Sequence, residues 1–118
     1  MKLTSQRKET QNAPTIVLFG GSPVRREEVK NHIMSIGKLT VIGTLSEEEG
    51  MLALQRLGEK VDLILIGGAY TIAQRNRIKA WARQHIPNVK ISEPGFEFAY
   101  SNQSIVNDIK FKLNIATD

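Results

Sequence analysis

At 118 residues, 41% of them hydrophobic and 24% charged, the chain has the size and composition of one globular domain. It contains no cysteine, which excludes disulfides, thiolate zinc sites, iron–sulfur clusters and cysteine nucleophiles, and no apolar run approaches the roughly 20 residues that span a bilayer. The formal net charge of +4 draws on Lys2, Arg7 and Lys8 in the leading segment and on Arg75, Arg77, Lys79 and Arg83; with no aromatic-rich basic strand or recognition-helix motif beside it, this charge does not point to nucleic acid.

Residues 1–14 are polar, lack apolar periodicity and end in Asn12-Ala13-Pro14, the pattern of a disordered tail or linker. They carry no hydrophobic segment of a signal peptide, so a cytoplasmic protein is expected. The folded part, expected over 15–118, opens with Thr15-Ile16-Val17-Leu18-Phe19, stopped by Gly20-Gly21. So continuous an apolar run reads as a strand buried on both faces of a parallel sheet. Ser22-Pro23 supplies an N-cap and a preorganised first helical residue; Val29, Ile33 and Ile36 recur at helical spacing, and Gly37 stops them. A second strand follows over Leu39 to Thr44. Ser46 with Glu49 forms a capping-box pattern, Leu54 and Leu57 mark the helical stripe, and Gly58 ends it. Val61 to Ile66 is a second buried strand, again stopped by a glycine pair, Gly67-Gly68.

Thr71 to Ile86 reads as a helix with Ile78, Ala82 and His85 or Ile86 on its apolar stripe, Trp81 at the border and basic residues elsewhere. Pro87 closes it and Val89 to Ser92 is a fourth strand. A short run, Phe96 to Tyr100, precedes a last helix from about Asn102 to Leu113, with Ile105, Ile109 and Leu113 at apolar spacing. Strands alternating with helices over short connections imply an α/β fold: a doubly wound parallel sheet with helices on both faces.

The stretches Ile16-Val17-Leu18-Phe19-Gly20-Gly21-Ser22-Pro23-Val24-Arg25-Arg26, Ile36-Gly37-Lys38-Leu39-Thr40-Val41-Ile42-Gly43, Val61-Asp62-Leu63-Ile64-Leu65-Ile66, Pro87-Asn88-Val89-Lys90-Ile91-Ser92 and Tyr100-Ser101 through Asp108-Ile109-Lys110 resemble, in this order, successive landmarks of response-regulator receiver domains. The resemblance covers nearly everything after residue 14. It implies a flavodoxin-like three-layer sandwich with sheet order 2-1-3-4. The family's two magnesium-holding acids and its phosphoacceptor aspartate would fall on Gly20, Gly21 and Gly67, and its lysine on Phe98; only Ser92 keeps the family's hydroxyl. Glycine offers neither a carboxylate for a hard cation nor a nucleophilic oxygen. The sequence thus resembles a degenerate pseudo-receiver. Ser92 and Phe98 are six positions apart, whereas a parallel crossover needs about a dozen residues. The family's fourth helix is therefore expected to be missing, and the fifth strand to be a short irregular connector or an antiparallel hairpin arm.

In a 2-1-3-4 sheet both glycine pairs face the switch point where ligands of such folds bind, and Gly20-Gly21-Ser22 leads into a helix N-terminus, which favours anions. Gly20, Gly21, Ser22, Gly67, Gly68 and Ser92 are thus candidate ligand-binding residues for phosphate or a nucleotide. The plainer reading is that the glycines make tight strand-to-helix turns; no Walker loop or GxGxxG fingerprint is present. His32 and His85 stand alone, with no metal or catalytic spacing around them, and Glu47-Glu48-Glu49 is accounted for by a helix dipole. Arg75, Arg77, Lys79, Trp81 and Arg83 form a candidate partner surface, weighed against an ordinary solvated helix face. Phe96, Phe98 and Tyr100 alternate, and on an exposed edge they could pair with a second copy; core packing is the plainer account.

No nucleophile–base pair, acidic cluster or metal set is visible, so neither an enzyme nor a cofactor is expected. The expected function is regulatory: a pseudo-receiver domain acting by phosphorylation-independent protein–protein interaction, with a different protein or as a homodimer. The competing reading is a small-ligand domain using the glycine-lined crevice.

Overall fold

In the computed structural model, which describes residues 13–115, the chain runs β1 (Thr15–Phe19), α1 (Pro23–Met34), β2 (Thr40–Thr44), α2 (Glu47–Leu57), a 3-10 turn (Gly58–Lys60), β3 (Leu63–Ile66), α3 (Ile72–His85), β4 (Lys90–Ser92) and α4 (Asn102–Leu113). The strands pair in parallel in the order β2-β1-β3-β4, the expected doubly wound sheet. Of the tail expected over 1–14, residues 1–12 lie outside the described residues, as do 116–118 of the expected domain. Pro14 already belongs to the fold, because its carbonyl accepts the Thr40 N–H at 2.8 Å.

Residues 16–19 of β1 and all of β3 are apolar because both faces of these central strands are covered. Val17, Phe19, Ile64 and Ile66 pack with Leu54 of α2 and with Ile78 and Ala82 of α3. Ile16, Leu18, Leu63 and Leu65 face the other way, onto Val29 and Ile33 of α1 and Ile105 and Ile109 of α4. The two-residue period of the strand thus divides one apolar run between two cores. Gly50 of α2 sits against the Phe19 ring, which a Cβ at that position would overlap. Ser22, Ser46, Thr71 and Ser101 cap the four helices, each side chain accepting the backbone N–H three residues on.

The connection from β4 to α4 contains no helix and no fifth strand. The antiparallel arm allowed for by the sequence does not form, because Phe96 to Tyr100 coils back on itself. The Phe96 and Glu97 N–H groups donate to the Glu93 carbonyl, and the Gly95 N–H, at φ +90°, donates to the Phe98 carbonyl. With these groups paired locally, the segment offers only a single bridge, Pro94 to Phe98. The alternating aromatics do not share a face: Phe98 is half-buried against the α1/α4 core, while Phe96 and Tyr100 are exposed. They therefore form no edge for strand pairing. The free edge of β4 is covered from α4 instead. Lys112 donates to the Ile91 carbonyl at 2.6 Å and meets Glu97 at 2.8 Å and Asp108 at 3.1 Å.

Arg75 is the largest correction to the sequence reading. Expected on an exposed basic surface, its side chain is only 2% accessible and lies among the core residues of α3. Its Nε donates to the Tyr70 carbonyl (3.1 Å), Nη2 to the Gly67 carbonyl (2.7 Å) and Nη1 to the Glu93 carboxylate (3.0 Å). The Phe96 ring covers the guanidinium, with its centroid 3.7 Å from Cζ. Lys79, also expected on that surface, donates to the other Glu93 oxygen at 2.9 Å. Arg77 is exposed but makes a two-pronged ion pair with Glu47, at 2.7 Å for each bond, joining α3 to α2. Trp81 is half-buried against the core and stacks on His85; Arg83 remains exposed. The five residues are therefore not one surface.

Removing one partner of a buried pair strands the other charge, which costs about 3–5 kcal/mol. Arg75→Met is expected to lower stability by about 3 kcal/mol in urea unfolding, the low end of that range, because Lys79 still faces Glu93. Burial alone would raise the Glu93 pKa, but the hydrogen bonds and charges of Lys79 and Arg75 outweigh it and hold it below its ordinary value of 4.5. The unfolded chain therefore takes up this proton first, and the stability is complete above pH 4.5 and lost as the pH falls through the folded value. Urea midpoints measured from neutral to acid pH should fall in this window for the wild type. They should fall less steeply for Glu93→Gln.

Candidate functional site

The C-terminal ends of β1 and β3 lie side by side, and the chain leaves both through glycine. Gly20 extends the ladder by donating to the Thr44 carbonyl (3.0 Å), and Gly67 does so by donating to the Phe19 carbonyl (2.9 Å). Neither these nor Gly21 and Gly68 has a positive φ, so a left-handed turn is not what demands glycine here. Close approach is. A Cβ on Gly67 would lie 2.9 Å from the Phe19 carbonyl oxygen, and one on Gly21 would lie 2.8 Å from the Ala69 Cβ. Gly68 differs, since a Cβ there would meet only the Tyr100 ring at ordinary contact distance.

Between these turns lies a crevice of about 350 Å³. It brings together five of the six candidate ligand-binding residues, Gly20, Gly21, Ser22, Gly67 and Gly68, above a floor that includes Leu18, Leu65 and Val29. Ser22 Oγ is engaged as the N-cap of α1, accepting the Arg25 N–H at 3.1 Å. The sixth candidate, Ser92, is elsewhere. It pairs in register with Leu65 and so faces the α1/α4 layer. There it is fully buried and donates to Asp108 at 2.6 Å.

Arg25 and Arg26 also line the crevice, and Tyr70 anchors one of its turns. Tyr70, buried and edge-on to Phe19, donates its hydroxyl to the Gly20 carbonyl at 2.9 Å. Burial, reinforced by the charges of Glu47 and Glu49, pushes its pKa up to about 12, so it stays a neutral donor. Arg25 reaches across the mouth to Tyr100, its Nε 3.2 Å from the hydroxyl, and pairs with Glu28 at 2.7 Å. Arg26 lays its stem over Gly20 and Gly43, which leave room for it. Its Nη2 meets Glu27 at 3.2 Å, whereas its Nε is buried without a hydrogen-bond partner among the described residues. Sequence reasoning did not single out Tyr70, Arg25 or Arg26 as site residues. The one available signal was position, with Tyr70 just before the Thr71 cap and the arginines in the first turn after Ser22.

No carboxylate lines the crevice, so the lining supplies no ligand set for a hard divalent cation. Among the described residues, no group of three or more histidine, cysteine or acidic side chains could hold a metal ion. Nor do the described residues include a helix long and apolar enough to cross a membrane.

No family model and no curated protein matches the chain. Solved structures do. A response regulator from Thermotoga maritima superposes with a TM-score of 0.68 at 18% identity, over 86% of this chain and 98% of that one. A LuxR family DNA-binding response regulator from Silicibacter pomeroyi gives 0.65 at 16%, over 86% and 91%. A pilus assembly-related protein from Burkholderia pseudomallei K96243 gives 0.67 at 13%, over 92% and 95%. At these identities the likeness establishes the architecture, and the chain has the flavodoxin-like fold of response-regulator structures.

Proposed function

We propose that this domain is a non-enzymatic signalling module of receiver-like fold that docks onto a protein without being phosphorylated. The observation that carries the reading is the glycine at positions 20, 21 and 67, at the ends of β1 and β3, where the resemblance requires carboxylates. Two of these glycines are enforced by close packing. The Arg75–Glu93 pair supports the same reading, because it ties the connection after β3 to the residue that follows β4 through the chain's own groups. A switch needs two arrangements of similar energy, and unlocking this one would strand a buried guanidinium.

Docking is supported at the C-terminal end of the sheet. Val24, Ile72, Phe96 and Tyr100, all large and exposed, lie on the helix starts and the connector that leave the strands there. Large apolar side chains exposed at one end of a sheet are the raw material of an interaction surface. The partner we favour is a second copy of the chain.

Two measurements test the reading. Beryllofluoride with magnesium should leave the amide resonances of Gly20, Gly21 and Gly67 in place; saturable shifts centred on them would overturn phosphorylation independence. Sedimentation velocity over a concentration series should show self-association that Ile72→Asp abolishes. The new aspartate sits in the first turn of α3, where its charge suits the helix dipole, so folding should be kept. A wild-type monomer at every concentration, or association insensitive to Ile72→Asp, would remove this face as a homodimer surface.

A further inference from the structure

The two edges of the sheet differ. On β4 the outward carbonyl of Ile91 accepts a hydrogen bond from Lys112 at 2.6 Å, so that edge is covered from within the chain. β2 forms the other edge. Its Thr40 N–H donates to the Pro14 carbonyl and its Thr44 carbonyl accepts from Gly20, both on the β1 side. The two-residue period of the strand therefore turns the backbone N–H and carbonyl groups of Val41 and Gly43 outward. Among the described residues no other segment pairs with them, and the open run stops at Leu45, whose N–H donates to Glu49 at 2.7 Å. The strand keeps solvent access, with Thr40 exposed and Ile42 and Gly43 half-buried. We propose that the β2 edge docks an extended acidic segment of a different protein, which adds to the sheet as a further strand.

The backbone specifies an extended chain, because unpaired edge groups are a template for strand addition. The charges beside the edge specify its chemistry. On the α1 side the Arg26 stem lies over Gly43, with Cδ 3.1 Å from where a Cβ would stand. α1 runs against β2, so Lys30, one turn further on, comes level with Val41. Arg26 meets the exposed Glu27. Lys30, and Lys38 just before the strand, make no ion pair among the described residues. On the α2 side Ile42 packs against the core. An added strand that alternates acids toward α1 with β-branched residues toward α2 matches both faces.

A second copy fits this edge poorly. Antiparallel pairing about a two-fold axis would set Val41 opposite Gly43 of the other copy, with Ile42 on the axis. The same symmetry brings Arg26 of each copy toward Lys30 of the other, cation against cation. The β2 edge is thus separate from the end face assigned to self-association.

The test follows amide resonances of the whole chain with two capped hexapeptides, Glu-Val-Glu-Val-Glu-Val and Lys-Val-Lys-Val-Lys-Val. The acidic peptide should shift the Val41 and Gly43 amides saturably, and the basic one should leave them in place. The acidic peptide N-methylated at every residue keeps its charges but loses its donors, and it should not bind. Lys30→Glu should weaken the acidic peptide about fivefold, on the order of one surface ion pair reversed, with the circular dichroism spectrum unchanged. No saturable shift, equal binding of the basic or the methylated peptide, or indifference to Lys30→Glu would each overturn the proposal. Shifts of Val41 and Gly43 that grow with protein concentration alone would overturn it in favour of a second copy.

Discussion

The Arg75 guanidinium is the point on which the C-terminal end of this sheet depends. One side chain from α3 hydrogen-bonds two carbonyls of the connection after β3 and a carboxylate beyond β4, under an aromatic lid. Burying an isolated charge is costly, and the cost is offset only when every donor finds an acceptor in good geometry. That requirement is met by backbone positions in the chain's own turns, so the charge dictates where Gly67, Tyr70 and Glu93 must be. Tyr70 transmits the constraint across the sheet, because its hydroxyl is fixed to the Gly20 carbonyl at the end of β1. The crevice walls are thereby held from both sides.

The layered packing supplies the rest of the rigidity. β1 shares its side chains between two cores, and Phe19 depends on the glycine at position 50 of a neighbouring helix. With no crossover after β4, the sheet ends there and leaves an edge. α4 covers it with a lysine that hydrogen-bonds the strand's backbone. The proton affinity of Lys112 is raised despite burial, through hydrogen bonds to Glu97 and Asp108, so the cover stays charged at neutral pH.

Much of the architecture was legible in the sequence because it rests on short-range pattern. Continuous apolar runs marked β1 and β3, Ser22-Pro23 marked the start of α1, and the spacing of Ile105, Ile109 and Leu113 set the span of α4. The grouping of four glycines and Ser22 at one crevice followed from strand order alone. What could not be read rests on pairings across the chain. Arg75 sits among other cations on a helix, and its burial is decided by a glutamate 18 residues away. Ser92 carried a hydroxyl of the right kind, but register turned it to the opposite face of the sheet. The alternation of Phe96, Phe98 and Tyr100 imitates a strand, and Gly95 with the Glu93 carbonyl converts it into a coil.

The central position of β1 has a consequence for biosynthesis. Its apolar residues 16–19 are among the first of the fold to be made, yet both strands that pair with it lie downstream, one of them ending only at residue 66. During translation β1 has β2 available by residue 44 but lacks its other neighbour until residue 66. Exposed strand-forming segments of this kind are the ones nascent chains must shield from aggregation.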